Sequence, residues 1–268
     1  HLVSETVATS YNPFITEKFL YSVCTRGLFV SYGQPGWHKY LEQYYGFQKY
    51  SKIFNYNFDN IILVEPDKTN NRDWGMWINK GRYQAYELSP YDQTLLLDSD
   101  YLTFDDNLLK LFESCQDYRL MHHNSTDAGA SYEEMGETSL PYIWATVVVF
   151  NKTEKSRLFF DLIGRIQRNY RYYKRLYNIR EGNYRNDYAF AIANNIINGY
   201  SLNEDQGIPW RMYTVDKPVK RIMLCNNFIR IYYEDSATVV PYQGIHLMDK
   251  DYLLSRDFEQ VLEVVCGS

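Results

Sequence analysis

Two carboxylates one residue apart, Asp98 and Asp100, close the short run Thr94-Leu95-Leu96-Leu97. That run is too short for an independent helix, so it reads as a buried strand or a buried helical turn. On an extended chain alternate side chains point the same way, so Asp98 and Asp100 can converge on one cation. Hard oxygen ligands suit Mg²⁺ or Mn²⁺, ions that bridge to phosphate oxygens. A strand that ends in two acids also presents them at the carboxyl edge of a sheet, where open α/β folds bind ligands. Asp98-Ser99-Asp100 equally fits a plain turn, with Asp105 opening the next helix. The surrounding elements have to decide between the two.

Those elements alternate. Glu5 to Ser10 reads as a first strand, and Asn12-Pro13 as the cap and first residue of a helix running to about Thr25. Gly27 to Tyr32 is a second strand and Trp37 to about Phe54 a second helix; Asn60 to Pro66 is a third strand and Trp74 to Leu88 a third helix. This βαβαβαβ order predicts an α/β fold, a mostly parallel central sheet with helices on both faces. Further along, a helix is expected over Asn107–Ser114, strands over Tyr118–His122 and Ile143–Phe150, and helices over Lys155–Ile179 and Asn186–Asn198. Asn124 to Thr138 is polar and reads as a surface loop over the site. From Trp210 short strands lead to Gly244-Ile245-His246, followed by a terminal helix over Phe258–Val265. No repeat or low-complexity linker divides the 268 residues, so one domain is expected, with 1–123 forming one half and 124–268 the other.

Composition narrows the class. The chain is 45% hydrophobic without a long apolar run, so a globular protein with no membrane span is expected. No basic segment followed by an apolar core opens it, so no secretory leader is read. Cys24, Cys115, Cys225 and Cys266 lie far apart and form no Cys-x-x-Cys pair, which argues against a zinc or redox site and for reduced thiols in a cytoplasmic setting. A net charge of −5 does not by itself point to nucleic acid. The 27 tyrosines offer stacking faces and hydroxyls that suit sugars and bases, although most belong to ordinary half-buried packing.

The apolar strand, the Leu95-Leu96-Leu97-Asp98-Ser99-Asp100 stretch and the helix that leads into it (Trp77 to Asp92) resemble the Asp-x-Asp centre of GT-A glycosyltransferases. The resemblance is to glycosyltransferase-like proteins of large tailed phages and, more distantly, to the glycogenin-like retaining family, and runs from about residue 60 to 200. Three further segments match. Pro141 to Val147 is similar to the small-residue strand beside the donor sugar, and Arg185-Asn186-Asp187 to the segment whose acid faces the reacting sugar or acceptor. Gly244 to Lys250 is similar to the late segment that supplies a third metal ligand, His246, and a phosphate-binding lysine, Lys250. Asp249 and Asp251 stand where that family carries Gly and Pro, which sets Lys250 apart from the pattern more than His246.

The resemblance implies a metal-dependent transferase using a nucleotide-sugar, most readily a UDP-sugar. Asp98, Asp100 and His246 would hold Mn²⁺ or Mg²⁺. Thr9, Ser10 and Tyr11 would meet the nucleotide base, Asp98 and Ser99 the ribose side, and Lys80, Arg82 and Lys250 the phosphates or donor sugar. Asn186 and Asp187 would serve the reaction, with Asp187 placed to act as general base if the outcome is inversion. The glycogenin-like features lean to retention instead. Asp187 also suits a plain helix cap, His246 a buried structural histidine, and Lys80 and Arg82 solvated helix charges.

The acceptor has its own candidate. Arg165, Arg168, Arg171, Lys174, Arg175, Arg180 and Arg185 fall in one stretch with tyrosines between them. On a continuous helix Arg168, Arg171 and Arg175 share a face, and Tyr170, Tyr173 and Tyr177 share another. Basic charge with aromatic faces suits a nucleic-acid backbone and an exposed base; a tyrosine stripe packed inward with arginines reaching water accounts for the same pattern. With the phage resemblance, the first expectation for an acceptor is DNA carrying a hydroxymethylated or already glycosylated base, contacted by Arg168, Arg171, Arg175 and Tyr173. A glycan or protein acceptor is the alternative. A GT-A module that binds without catalysis is a third reading. A nucleotidyltransferase would need a glycine-rich, lysine-bearing loop after the first strand, and Ser10-Tyr11-Asn12-Pro13 is not one.

Overall fold

A computed structural model describes residues 2–4, 30–32, 71–72, 75–76, 79–98, 100–127, 134–135, 140–180, 183–201, 206–253, 255–258 and 260–261. The expected strands at Glu5–Ser10 and Asn60–Pro66, the helices at 13–25 and 37–54, and the end of the terminal helix lie outside them. At the amino-terminal end, β1 (Leu2–Ser4) pairs in parallel with β2 (Val30–Tyr32), the latter inside the expected second strand.

The expected helix over Trp74–Leu88 is replaced. A two-residue hairpin, β3 (Asn71–Arg72) with β4 (Gly75–Met76), precedes a 3₁₀ helix over Asn79–Gln84, which runs into a single turn, α1 (Ala85–Leu88). Gly75 and Gly81 weaken an α-helix by about 1 kcal/mol each relative to alanine, and Pro90 ends whatever forms before it.

Two further sheets, one antiparallel and one mixed, build the region of interest. In the first, β11 (Trp144–Asn151) lies between β5 (Gln93–Leu97) and β7 (Tyr118–Met121), antiparallel to both. Ala145 to Phe150 are buried on both faces, which is why the segment reads as an uninterrupted apolar run. The second sheet has the order β6–β16–β12–β8. Its β12 (Met212–Val215) is parallel to β16 (Ile245–Leu247) and to β8 (Asn124–Thr126), and β16 is antiparallel to β6 (Tyr101–Leu102). The α/β class holds; among the described residues these strands pair in an antiparallel and a mixed sheet rather than a mostly parallel one. The strand that carries Asp98 pairs antiparallel with β11, a partner that comes after it in the chain and that alternation of the preceding elements says nothing about.

The segment expected as a surface loop is partly sheet. Asn124 and Thr126 are buried within β8, and β9 (Glu134–Met135) pairs with β10 (Leu140–Pro141). Polar residues disguised the strand: Asn124 and Thr126 are buried, and Asn124 accepts from the Thr214 hydroxyl through Oδ1.

Four helices accompany these sheets: α2 (Asn107–Ser114), α3 (Glu154–Arg168), α4 (Tyr170–Leu176) and α5 (Asn186–Ile197). Phe159 and Phe160 of α3 and Phe190 of α5 pack edge to face against one another, and Phe160 lies on Phe150 of β11 with ring centroids 4.7 Å apart. A second apolar cluster gathers Val215, Ile245 and Leu247 with residues of the antiparallel sheet β13 (Arg221–Leu224), β14 (Phe228–Tyr232) and β15 (Ala237–Pro241), and with Tyr252 and Leu253 of α6 (Lys250–Leu253). No helix among the described residues is long and apolar enough to cross a membrane. Residues 98–100 are where the chain leaves the first sheet and enters the second.

Candidate metal centre

The backbone fixes the two acids before any side chain does. The Asp98 N–H donates to the Thr146 carbonyl of β11 (2.9 Å), and the Tyr101 N–H donates back to the Asp98 carbonyl (3.1 Å). The Asp100 carbonyl accepts from the Leu247 N–H of β16 (2.8 Å). His246 enters through register, paired with Tyr101 on β6 and with Thr214 on β12. One ligand atom from each of Asp98, Asp100 and His246 lies within 4.8 Å of the others. Asp100 and His246 are buried, with Asp100 Oδ1 3.4 Å from His246 Nε2.

Two carboxylates and one imidazole form a hard, oxygen-rich donor set that fits Mg²⁺ or Mn²⁺. A turn alone does not explain the burial, since Asp100 is only 4% exposed and buried carboxylates cost free energy unless paired or metal-bound.

Arg82 belongs to this corner. Its guanidinium, 2% exposed, forms an ion pair with Asp98. It is therefore a buried partner of the acid rather than a solvated helix charge. Lys80 lies in the same 3₁₀ helix, with its side chain outside the described residues, as is that of Lys250. Thr9, Ser10, Tyr11 and Ser99 also lie outside them. Asp249 explains the departure around Lys250. Its Oδ1 accepts from the N–H groups of Asp251 and Tyr252 (3.1 and 3.2 Å), capping α6, while its Oδ2 accepts from Val219 N–H (2.6 Å).

Asp187 is brought close through β11. Between Trp144 and Val148 the pairing with β7 slips, as at a β-bulge. The Ala145 N–H donates to Asp187 Oδ1 (3.0 Å), and Arg185 donates to Asp187 Oδ2 (3.0 and 3.2 Å). Ala145 and Thr146 thus tie Asp187 and Asp98 to adjacent residues of one strand. Asp187 lies in the first turn of α5 but bonds across to β11, so the plain helix-cap reading does not hold. Burial, with the Asp187 charge second, holds the neighbouring Tyr142 hydroxyl well above its usual range. Asn186 is buried and accepts from the Tyr184 hydroxyl through Oδ1 (3.1 Å).

The basic stretch is not one helix. Asn169 ends α3: its N–H donates to the Arg165 and Ile166 carbonyls, and its side-chain amide donates to Arg165 as well (2.9 Å). Asparagine competes for backbone partners and favours such breaks. Arg168 therefore does not continue the face of Arg171 and Arg175; its guanidinium lies over the Tyr83 ring, 5.9 Å from the centroid, beside the 3₁₀ helix of Arg82. Arg171 and Arg175 are exposed on α4. Tyr173 packs partly buried against the core, and Tyr170 and Tyr177 are buried. The exposed aromatic beside the arginines is Tyr172, at 63% exposure. Helical spacing from Arg175 would have found it.

No protein-family description matches the chain. No curated protein matches it either. Among solved structures it is similar to the crystal structure of the glycosyltransferase GlyE of Streptococcus pneumoniae TIGR4, at 16% identity and a TM-score of 0.35. The match covers 72% of this chain and 41% of that one, so the chain spans about two fifths of its length. An overlap of that size assigns neither a fold family nor an activity.

Proposed function

We propose that this chain is a metal-dependent glycosyltransferase. The observation that carries the reading is the convergence of the Asp98–Asp100 pair with His246, which is distant in sequence, on one partly buried point. The favoured donor is a nucleotide-sugar, most readily a UDP-sugar, because its leaving group is a diphosphate. Mn²⁺ or Mg²⁺ held there would offset the negative charge that develops on that leaving group. Arg82 orients Asp98 through their ion pair, and stands beside the cluster as a fixed positive charge. Asp187 and Asn186, held by β11 and Tyr184, are the proposed residues on the reacting side; Asp187 is a carboxylate that can accept a proton from an acceptor hydroxyl. Thr9, Ser10, Tyr11, Ser99, Lys80 and Lys250 remain the proposed contacts for the nucleotide and its phosphates.

For the acceptor we favour DNA bearing a hydroxymethylated or already glycosylated base, whose hydroxyl projects into the major groove. The exposed Arg171, Tyr172 and Arg175 of α4, with Arg168 nearby, support this choice, since phosphate contact and base stacking need those side chains at a surface. A single domain acting in the cytoplasm is the setting proposed with it. Incubation of the protein with hydroxymethylated DNA, Mn²⁺ and a panel of UDP-sugars, read by mass spectrometry of the nucleosides, tests the proposal. A hexose or pentose mass on the modified base is the expected product. Transfer to glycan or protein acceptors with none to DNA would sustain the enzyme and discard the acceptor.

A further inference from the structure

On the far side of His246 from Asp100 lie two buried polar residues, Thr214 and Asn124, at 1% and 0% exposure. They sit among apolar neighbours; Met212, Val215, Ile245 and Leu247 are fully buried. A hydroxyl and an amide in such a place destabilise the fold unless they are hydrogen-bonded. Register explains their alignment. Thr214 pairs with His246 on one side and Thr126 on the other, and Asn124 shares the Thr126 face two residues earlier on β8.

The Thr214 hydroxyl donates to Asn124 Oδ1 (2.9 Å), and its oxygen stands 3.3 Å from His246 Nδ1. A hydroxyl has one proton to give. With that proton directed to Asn124, the Thr214 oxygen can only accept from the imidazole, so Nδ1 carries the hydrogen. In the neutral ring the other nitrogen, Nε2, then presents a lone pair, and Nε2 is the atom that faces Asp100 Oδ1. A lone pair against a carboxylate oxygen is unfavourable for two bare acceptors and favourable for two ligands of one cation.

We infer that Thr214 and Asn124 are positioning residues that hold His246 as the Nδ1–H tautomer and thereby keep Nε2 available as a ligand. The last clause rests on the metal reading proposed above; the tautomer does not. The opposite relay has the Asn124 amide turned to donate to Thr214 and the Thr214 proton given to Nδ1. It would leave Nε2–H bonded to Asp100 and no lone pair for an ion. The two arrangements use the same heavy atoms and differ in the direction of every proton.

Long-range ¹H–¹⁵N correlation spectra of the metal-free full chain, with His246 assigned by its loss in His246→Ala, read the tautomer directly. The expected result is protonated Nδ1 and bare Nε2; protonated Nε2 and bare Nδ1 would overturn the inference. Calorimetric titration with Mn²⁺ gives the second readout. Thr214→Val should weaken binding by about ten- to a hundred-fold, the usual effect of losing a residue that orients a metal-bound histidine, and Thr214→Ser should restore it. Equal affinity of wild type and Thr214→Val would also overturn the inference. If the valine variant does not fold, the wild-type tautomer decides by itself. Wild-type protein that binds no Mn²⁺ would instead sink the metal proposal, while the spectra still judge the relay.

Discussion

The corner between β5 and β6 and the exposed side of α4 both concentrate charge, and they do it in opposite ways. At the corner, Arg82, the Asp98–Asp100 pair and His246 come from three separate segments and are largely buried, with the two acids fixed by backbone bonds to β11 and β16. On α4, Arg171 and Arg175 are near neighbours in sequence and exposed to solvent, while Tyr170 and Tyr173 of the same helix pack toward the core. Convergence of distant residues in a buried place costs free energy and calls for a reason. A run of adjacent surface charges costs little and is screened by salt. The corner is therefore the stronger evidence for chemistry, and the helix is evidence for a surface only.

The largest expected effect lies at the corner. Asp100→Asn removes a charged ligand while keeping its shape. A bound ion contributes several kcal/mol of charge stabilisation, so sugar transfer should fall on the order of a thousand-fold or more, measured at saturating donor. If transfer is unchanged, the corner is not where the chemistry happens.

Arg82→Met should come next, and it reads out in stability. Breaking a buried ion pair from one side leaves its partner uncompensated, a loss of about 3–5 kcal/mol, seen as a lower Tm by calorimetry. Mn²⁺ should recover more of that Tm in the variant than it adds to the wild type, because it supplies positive charge at the same acids.

Gly244→Ala tests how tightly the corner is built. A Cβ there would stand 2.6 and 2.7 Å from Cζ and Cε1 of the buried Tyr101, the residue that follows Asp100 and pairs with His246. Overpacking of this kind costs about 1–3 kcal/mol. The shift should also weaken Mn²⁺ binding, whereas an unchanged Mn²⁺ affinity would mean that the ligands tolerate movement of β6.

The smallest effect belongs to α4. Arg171→Glu and Arg175→Glu should leave folding intact and lower affinity for duplex DNA. Each lost phosphate contact reduces the slope of log affinity against log salt by about one. Unaltered DNA binding and salt slope would remove α4 from the acceptor surface and lower its standing further relative to the corner.

The chain's own residues made the corner legible to different depths. Asp98 and Asp100 announce themselves, since an apolar strand followed by alternate acids has few readings. His246 was readable through family resemblance, although its partner strands were not. The relay of Thr214 and Asn124 left no trace in the sequence, because a buried threonine and a buried asparagine look like loop residues until register aligns them. For that reason Asn124–Thr126 reads as loop and forms a strand of the second sheet, paired with β12. The antiparallel pairing of β5 with β11 was hidden for a similar cause: local alternation specifies elements, and the partner of a strand depends on residues fifty positions away. The helix break was the nearest miss. Asn169 sits in the middle of an otherwise helical stretch, and its competition for the Arg165 carbonyl is a local effect that the residue type foreshadows.

The central claim is that Asp98, Asp100 and His246 bind one divalent ion. Isothermal calorimetry of Mn²⁺ into the wild-type chain and into Asp100→Asn, each with and without UDP, tests it most directly. One Mn²⁺ per chain, tighter with UDP and lost in the variant, is the predicted result. No Mn²⁺ binding by the wild type, or binding that Asp100→Asn leaves intact, would contradict it.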